Sequence, residues 1–395
     1  MKINSSTTQF FLVICIFILC AYSYHPKYFD TSTGSIQNHL VVLLTELLIA
    51  ILAIVSVKRI LFTHIVIVYL TCLFFISVIV FAGISVELNV SFPAIIALIP
   101  PLLGIIIGQN LAITRETLFF CLRIYIVASV IIMLLSIMTN IGGFVIEDQY
   151  AVAGKNASGA MLGVSGILSF YLATQERKRV LSILDLCCLL IIFVELLTIR
   201  ARLATLGTFF IIIILAVKRG IRIKISTMVF VLLLILFIIA FFSLDSLFEF
   251  IYNSFFQNKG SDFSSGRTEL DEAAISVILN SPIYGNIRGE YVIDSEFEVH
   301  NFLLNTMSHY GLVISLPWIV LYFRLAIESI KTVLKCNMDS VAIVASSVTL
   351  FLFFESMGEY TYPFGPGTIT FIPFLLLGFS CSTVGNDSAK ILRLY

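Results

Sequence analysis

Charge is what this sequence has least of. Lysine, arginine, aspartate and glutamate supply 12% of its 395 residues, against 59% hydrophobic ones, and 24 basic side chains cancel 24 acidic ones. Such a chain is neither disordered nor an ordinary soluble domain. Polar stretches long enough for a separate soluble domain are also missing. No small-residue cleavage pattern follows the first apolar run, Phe10 to Tyr22; Ser23-Tyr24-His25-Pro26-Lys27-Tyr28 comes next, so the run reads as a retained helix. The eight cysteines show no spacing that suggests a metal site or a disulfide framework. Their expected role is that of small buried apolar residues.

What remains is a succession of apolar runs. A helix needs about 20 apolar residues to cross a hydrocarbon core of roughly 30 Å. Spans are expected near 9–23, 39–57, 60–84, 93–108, 118–138, 158–175, 180–198, 202–217, 225–245, 304–329, 338–355 and 365–383. The runs are continuous, not alternating as in barrel strands, and a backbone in lipid must satisfy its own hydrogen bonds. The expected fold is therefore all-α: a polytopic integral membrane protein of about 12 transmembrane helices, one domain over residues 1–395. Two helices carry internal breaks, at Pro100-Pro101 with Gly104 and at Pro317, read as kinks more readily than as cavity walls.

Basic residues set the orientation, because lysine and arginine are retained on the cytoplasmic side. With both termini inside, Lys58-Arg59, Arg115, Arg177-Lys178-Arg179, Lys218-Arg219, Arg222, Lys224, Lys331, Lys335, Lys390 and Arg393 all become cytoplasmic. The outer side receives short loops and one long segment, 246–303, between the ninth and tenth spans. Its acidic residues include Asp262, Glu269, Asp271 and Glu272, and Thr268 to Leu279 repeats apolar residues at helical spacing, so short helices are expected there.

Outer basic residues are few, which makes each informative. Arg200 and Arg202 stand between two apolar spans; arginine at a membrane helix centre costs at least about 2.5 kcal/mol and less near the interface. They could snorkel to headgroups, or clamp a phosphate through the planar guanidinium. Arg267 follows Ser264-Ser265-Gly266 at a helix start, where free amides suit an anion, although a solvated loop charge is an even alternative. His300, followed by Asn301, is a candidate general base or simply a capping residue. His309 is out of phase with it and reads as structural. Asn156 positions substrate or caps its helix, and Glu355, at the bilayer edge, needs a partner such as Arg200, Arg202 or a substrate hydroxyl. Lys27, Lys155, Lys259 and Arg288 complete the outer basic set.

The order of these pieces resembles the O-antigen polymerase and O-antigen ligase superfamily. It comprises Asn156, Thr198-x-x-x-Arg202, Ser-Gly-Arg267, Asn280-Ser281-Pro282-Ile283-Tyr284-Gly285, and His300-Asn301 followed after nine residues by Gly311. The resemblance covers roughly residues 150–330. Ile314 departs from the small or polar residue usual in ligases, and Ala201 replaces the usual Ser or Thr, leaving a choice between Arg200 and Arg202 that the following residues tip toward Arg202. The resemblance implies a metal-independent, inverting glycosyltransferase without cofactor, working at the periplasmic face of the bacterial inner membrane. It would use undecaprenyl-diphosphate-linked glycan as donor and acceptor, with membrane lipid, a chain-length regulator and a flippase as partners and no nucleic acid. Arg202 and Arg267 would stabilise the leaving diphosphate, His300 would serve the attacking hydroxyl, and Arg200, Asn156, Asn301, Arg288 and Glu355 would contact substrate. A ligase that moves glycan onto lipid A core is the alternative. A secondary transporter would predict repeats between the halves, and a lipid-glycan flippase a deeply charged cavity; the sequence offers neither repeats nor many deep charges beyond Arg123 and Glu195.

Overall fold

In a computed structural model of the chain the described residues are 14, 18, 47–48, 51, 69–73, 76, 99–110, 114–140, 155–176, 178–219, 267–286, 299–335, 341–358 and 371–387. They contain helices and no strand. In chain order these are α1 (Ile99–Asn110), α2 (Arg115–Asn140), α3 (Lys155–Gln175), α4 (Arg179–Thr198), α5 (Arg202–Lys218), α6 (Arg267–Asn280), α7 (Phe302–Lys335), α8 (Val341–Glu355) and α9 (Phe371–Asp387). Four of them, α2, α3, α4 and α7, are long and apolar enough to cross a membrane. The spans expected near 9–23, 39–57, 60–84 and 225–245 lie outside the described residues, apart from isolated helical positions in the first three. Most of the segment 246–303 lies outside them too; within it, α6 occupies the stretch where the apolar spacing predicts a helix.

Exposure runs opposite to that of a soluble bundle. On α5, Leu206, Phe209, Phe210, Ile213 and Val217 are exposed at helical spacing, while Thr205, Gly207 and Thr208 are buried. An exposed apolar stripe with small and polar groups turned inward is the pattern lipid selects. The packing centre is α3, which is buried along nearly its whole length. Glycines bring its neighbours close. A Cβ on Gly159 would stand 2.7 Å from that of Ala201, one on Gly163 would enter the Phe351 ring, and one on Gly166 would lie 3.0 Å from Thr208 Cγ2. The helix α3 is thus wedged against α4, α5 and α8. Similarly, Gly104 and Gly108 of α1 face the backbone of α9, and Gly378 of α9 faces Ile105. Pro100 and Pro101 are buried within the helical residues of α1.

The break in α7 lies at Gly311, not at Pro317. Gly311 has φ 75° and ψ 159°, whereas Pro317 remains helical. The sequence points to proline because it removes a hydrogen bond. A glycine at positive φ bends the chain more sharply, since it abandons the helical conformation altogether. The two arms fold back on each other. Phe302 and Tyr322, twenty positions apart, have ring centroids 4.9 Å apart, and Tyr310 stacks on Trp318 at 6.1 Å. A straight helix would separate the first pair by about 30 Å. At the tip, the turn 281–286 that follows α6 is docked by main-chain bonds. Asn286 N–H donates to Ser308 O (2.8 Å) and His309 O (3.1 Å), and Val313 N–H donates to Pro282 O (3.2 Å).

Candidate functional site

The helix α4 must reverse into α5 within three residues, and the hydrogen bonding shows how. Arg200 N–H donates to Leu197 O (3.1 Å) and Ala201 N–H to Leu196 O (3.1 Å), the paired bonds of a Schellman closure. That closure needs a left-handed residue, ordinarily glycine. Here it is Arg200, with φ 56°, alone among the described non-glycine residues in having positive φ. The conformation costs an L-residue about 1–2 kcal/mol. Arg202 then opens α5 behind Ala201, which provides no side-chain cap for the first-turn amides. Both arginines are partly buried. The sequence pattern favours Arg202; the backbone singles out Arg200.

His300 is held by its neighbours. Asn301 caps α7, its Oδ1 accepting from Leu303 N–H (2.9 Å) and Leu304 N–H (3.2 Å), while its Nδ2 donates to Met357 O (3.0 Å). Phe302 N–H donates to Ser356 O (3.0 Å). Tyr322 of the second arm reaches the same point, its hydroxyl 2.8 Å from Ser356 Oγ. The start of α7 is therefore fastened to the end of α8, directly beside Glu355, which is 1% exposed. Asn301, read from the sequence as a substrate contact, spends most of its carboxamide on this junction. His309 Nδ1 lies 2.8 Å from Asn305 O, one turn back on its own helix, in keeping with a structural part.

Glycine contacts put these pieces at one end of the bundle. Gly159, one turn into α3 from Asn156, touches Ala201 and Ala204 beside the arginine turn. Phe351, one turn before Glu355, packs on Gly163 of α3 and Gly207 of α5. Asn156, Arg200, Arg202, His300, Asn301 and Glu355 thus share an end. Asn156 lies inside the first turn of α3, not ahead of it as a cap would. Arg267 is the first residue of α6, the helix packed on α7, and its side chain is outside the description; Arg288 is outside the described residues. The opposite end carries Arg115, bonded to Gln175 Oε1 at 3.2 Å, and Lys218, bonded to Val333 O, together with Lys178, Arg179 and Lys335.

Two deep polar features stand out against the scarcity of deep charges in the sequence. Arg123 grips Asp185 through Nε (3.0 and 3.2 Å) and Nη2 (2.8 Å), and the same Nη2 lies 2.8 Å from Glu176 Oε2. The partners sit 62 and 53 positions away in sequence, so no local spacing could pair them. Glu195 is fully buried one turn before the arginine reversal, and among the described residues neither of its carboxyl oxygens has a hydrogen-bond partner. The signal for it was an acid in an otherwise apolar run. Among the described residues no group of three or more histidine, cysteine, aspartate or glutamate side chains could hold a metal ion. The chain matches no family model and no curated protein.

Proposed function

We propose that this chain is an integral-membrane glycosyltransferase that polymerises undecaprenyl-diphosphate-linked repeat units of O-antigen or capsular polysaccharide at the periplasmic face of the bacterial inner membrane. One observation carries the reading: a strained arginine turn, Arg200 to Arg202, lies at the same end of the bundle as His300 and Glu355. Strain retained where glycine would fit is characteristic of sites that need the side chain. In the proposed reaction a sugar hydroxyl attacks the anomeric carbon of the lipid-linked donor. The carbon–oxygen bond to the diphosphate breaks, its electron pair leaves with the diphosphate, and the hydroxyl proton passes to His300. Guanidinium groups from the turn, joined by Arg267, stabilise the charge growing on the leaving group. The collection of Arg115, Lys178, Arg179, Lys218 and Lys335 at the other end supports a cytoplasmic assignment for that end.

The test is to replace His300, Arg202 and Arg267 singly and follow polysaccharide length on a gel. Short or single-unit products at normal protein level are expected. Normal ladders from all three would overturn the assignment. The ligase alternative is separated by deletion: a polymerase mutant still caps the core with single units, whereas a ligase mutant leaves it bare. A transporter reading draws on one observation, the buried Glu195 carboxylate, and substitution there distinguishes it.

A further inference from the structure

The helix α6 has two unlike halves. Glu269 and Glu272 are exposed in the first half, whereas Ile275 (44% exposed), Leu279 (74%) and, after the turn, Ile283 (49%) are exposed in the second. Ile275 and Leu279, four residues apart, share a face of the helix. Ala274 and Val277 supply the buried face. A loop helix in water has no reason to end in three uncovered aliphatic side chains.

Their position identifies what covers them. The second arm of α7 exposes Val313, Leu316, Val320, Phe323, Ile327 and Ile330, a stripe at helical spacing along one face. From Val313 to Ile330, where the exposed Lys331 paired to Glu328 ends it, the stripe rises about 26 Å, close to a hydrocarbon core of roughly 30 Å. Val313 is the outer end of that stripe. Its N–H is bonded to Pro282 O, next to Ile283, so the apolar surface of α6 begins where the lipid-facing stripe of α7 ends.

We propose that the second half of α6 and the turn after it lie in the bilayer interface, with Ile275, Leu279 and Ile283 in the boundary between headgroups and acyl chains and the acidic first half in water. The occupant of the uncovered face is lipid. Carboxylates at Glu269 and Glu272 oppose deeper entry, and the lock of the turn at Gly311 opposes withdrawal. The helix then sets the height of its own first residue, Arg267, above the membrane. This assignment needs α7 to be a span and does not depend on any enzymatic activity.

The experiment uses the full-length chain in phosphatidylcholine vesicles containing lipid brominated at acyl carbons 6 and 7. In a Trp318→Phe background, single tryptophans replace Glu269, Leu279 or Ile283. For the Leu279 and Ile283 variants, emission falls at least two-fold with brominated lipid and is little affected by iodide; the Glu269 variant shows the reverse. Iodide quenching of the Leu279 and Ile283 variants equal to that of the Glu269 variant would place the helix in water. Quenching by neither agent would mean that protein covers the face. Either result overturns the proposal. With Trp318 in place, peptide-resolved labelling of Glu269→Cys, Leu279→Cys and Ile283→Cys by a membrane-impermeant maleimide gives a second readout. The latter two should react at least ten-fold more slowly, and equal rates would refute lipid contact.

Discussion

Gly285 and Gly311 lie backbone against backbone. A Cβ on Gly285 would collide with the amide of Gly311 and with Ser308 O, and one on Gly311 would collide with the carbonyl of Ile283. Both residues have positive φ, 56° and 75°. Alanine at either site combines positive-φ strain of about 1–3 kcal/mol with an overlap of about 1–3 kcal/mol. Gly311→Ala should therefore lose about 3 kcal/mol in reversible denaturation in mixed micelles. Gly285→Ala should lose a similar amount, and the double variant distinctly less than the sum, because the two changes disrupt one contact.

Arg200 offers a test in which stability and activity move in opposite directions. Arg200→Gly relieves the left-handed strain and should stabilise the protein by about 1 kcal/mol while shortening the polysaccharide. Arg202→Gly removes a guanidinium from an ordinary helical position and should bring no stabilisation. A fully active Arg200→Gly protein would show that the reversal alone, and not its side chain, matters.

The buried ion cluster calls for a rescue experiment. Arg123→Met leaves Asp185 buried without its main partner and should cost about 3–5 kcal/mol. Adding Asp185→Leu should recover much of that loss, since a neutral pair of similar volume no longer carries a stranded charge. Denaturation midpoints of the single and double variants measure both effects.

Asn301 separates capping from contact with α8. Asn301→Asp keeps an oxygen for Leu303 and Leu304 N–H but loses the donor to Met357 O; Asn301→Ala loses both. The alanine variant should be less stable by about 1 kcal/mol or more, the aspartate variant by less. If Asn301 positions His300 without touching substrate, product length should follow this order of stability. Activity lost in a fully stable aspartate variant would argue for a direct contact.

Glu195 divides the two classes of function. Glu195→Gln preserves size and replaces a buried acid by a neutral amide, so folding should be unharmed. Under the glycosyltransferase reading, transfer by the purified protein should not respond to an imposed proton or sodium gradient, in wild type or variant. A gradient-dependent activity abolished by Glu195→Gln would instead establish transport.

The helical nature of the chain, and the boundaries of α2 to α5, were readable in sequence because lipid imposes a continuous apolar signal interrupted by charge. Arg115, Arg179 and Lys218 fall at helix ends as expected. The helix at Arg267–Asn280 was visible in its spacing as well. What sequence could not supply was anything depending on distant backbone. The sequence marks Gly311 only as the end of the spacing that starts at His300-Asn301; that it bends α7 shows only once Gly285 is found against it. The strain at Arg200 belongs to a reversal, not to a residue type. Arg123 looks like a lone deep charge in sequence because Asp185 reaches it from α4 and Glu176 from just past the end of α3.

The doubling back of α7 turns its first arm into a strut pinned at both ends. Phe302 is tied to Ser356 at one end, and Gly311 is locked to the turn before Asn286 at the other. A strut of this kind tolerates changes of side chain along its length but not a change in the number of residues. One residue inserted between Phe302 and Gly311 would turn the ends about 100° relative to each other, and one fastening would have to give way. The nine positions from Phe302 to Tyr310 act as a ruler, and their number, more than their identity, keeps His300 in place.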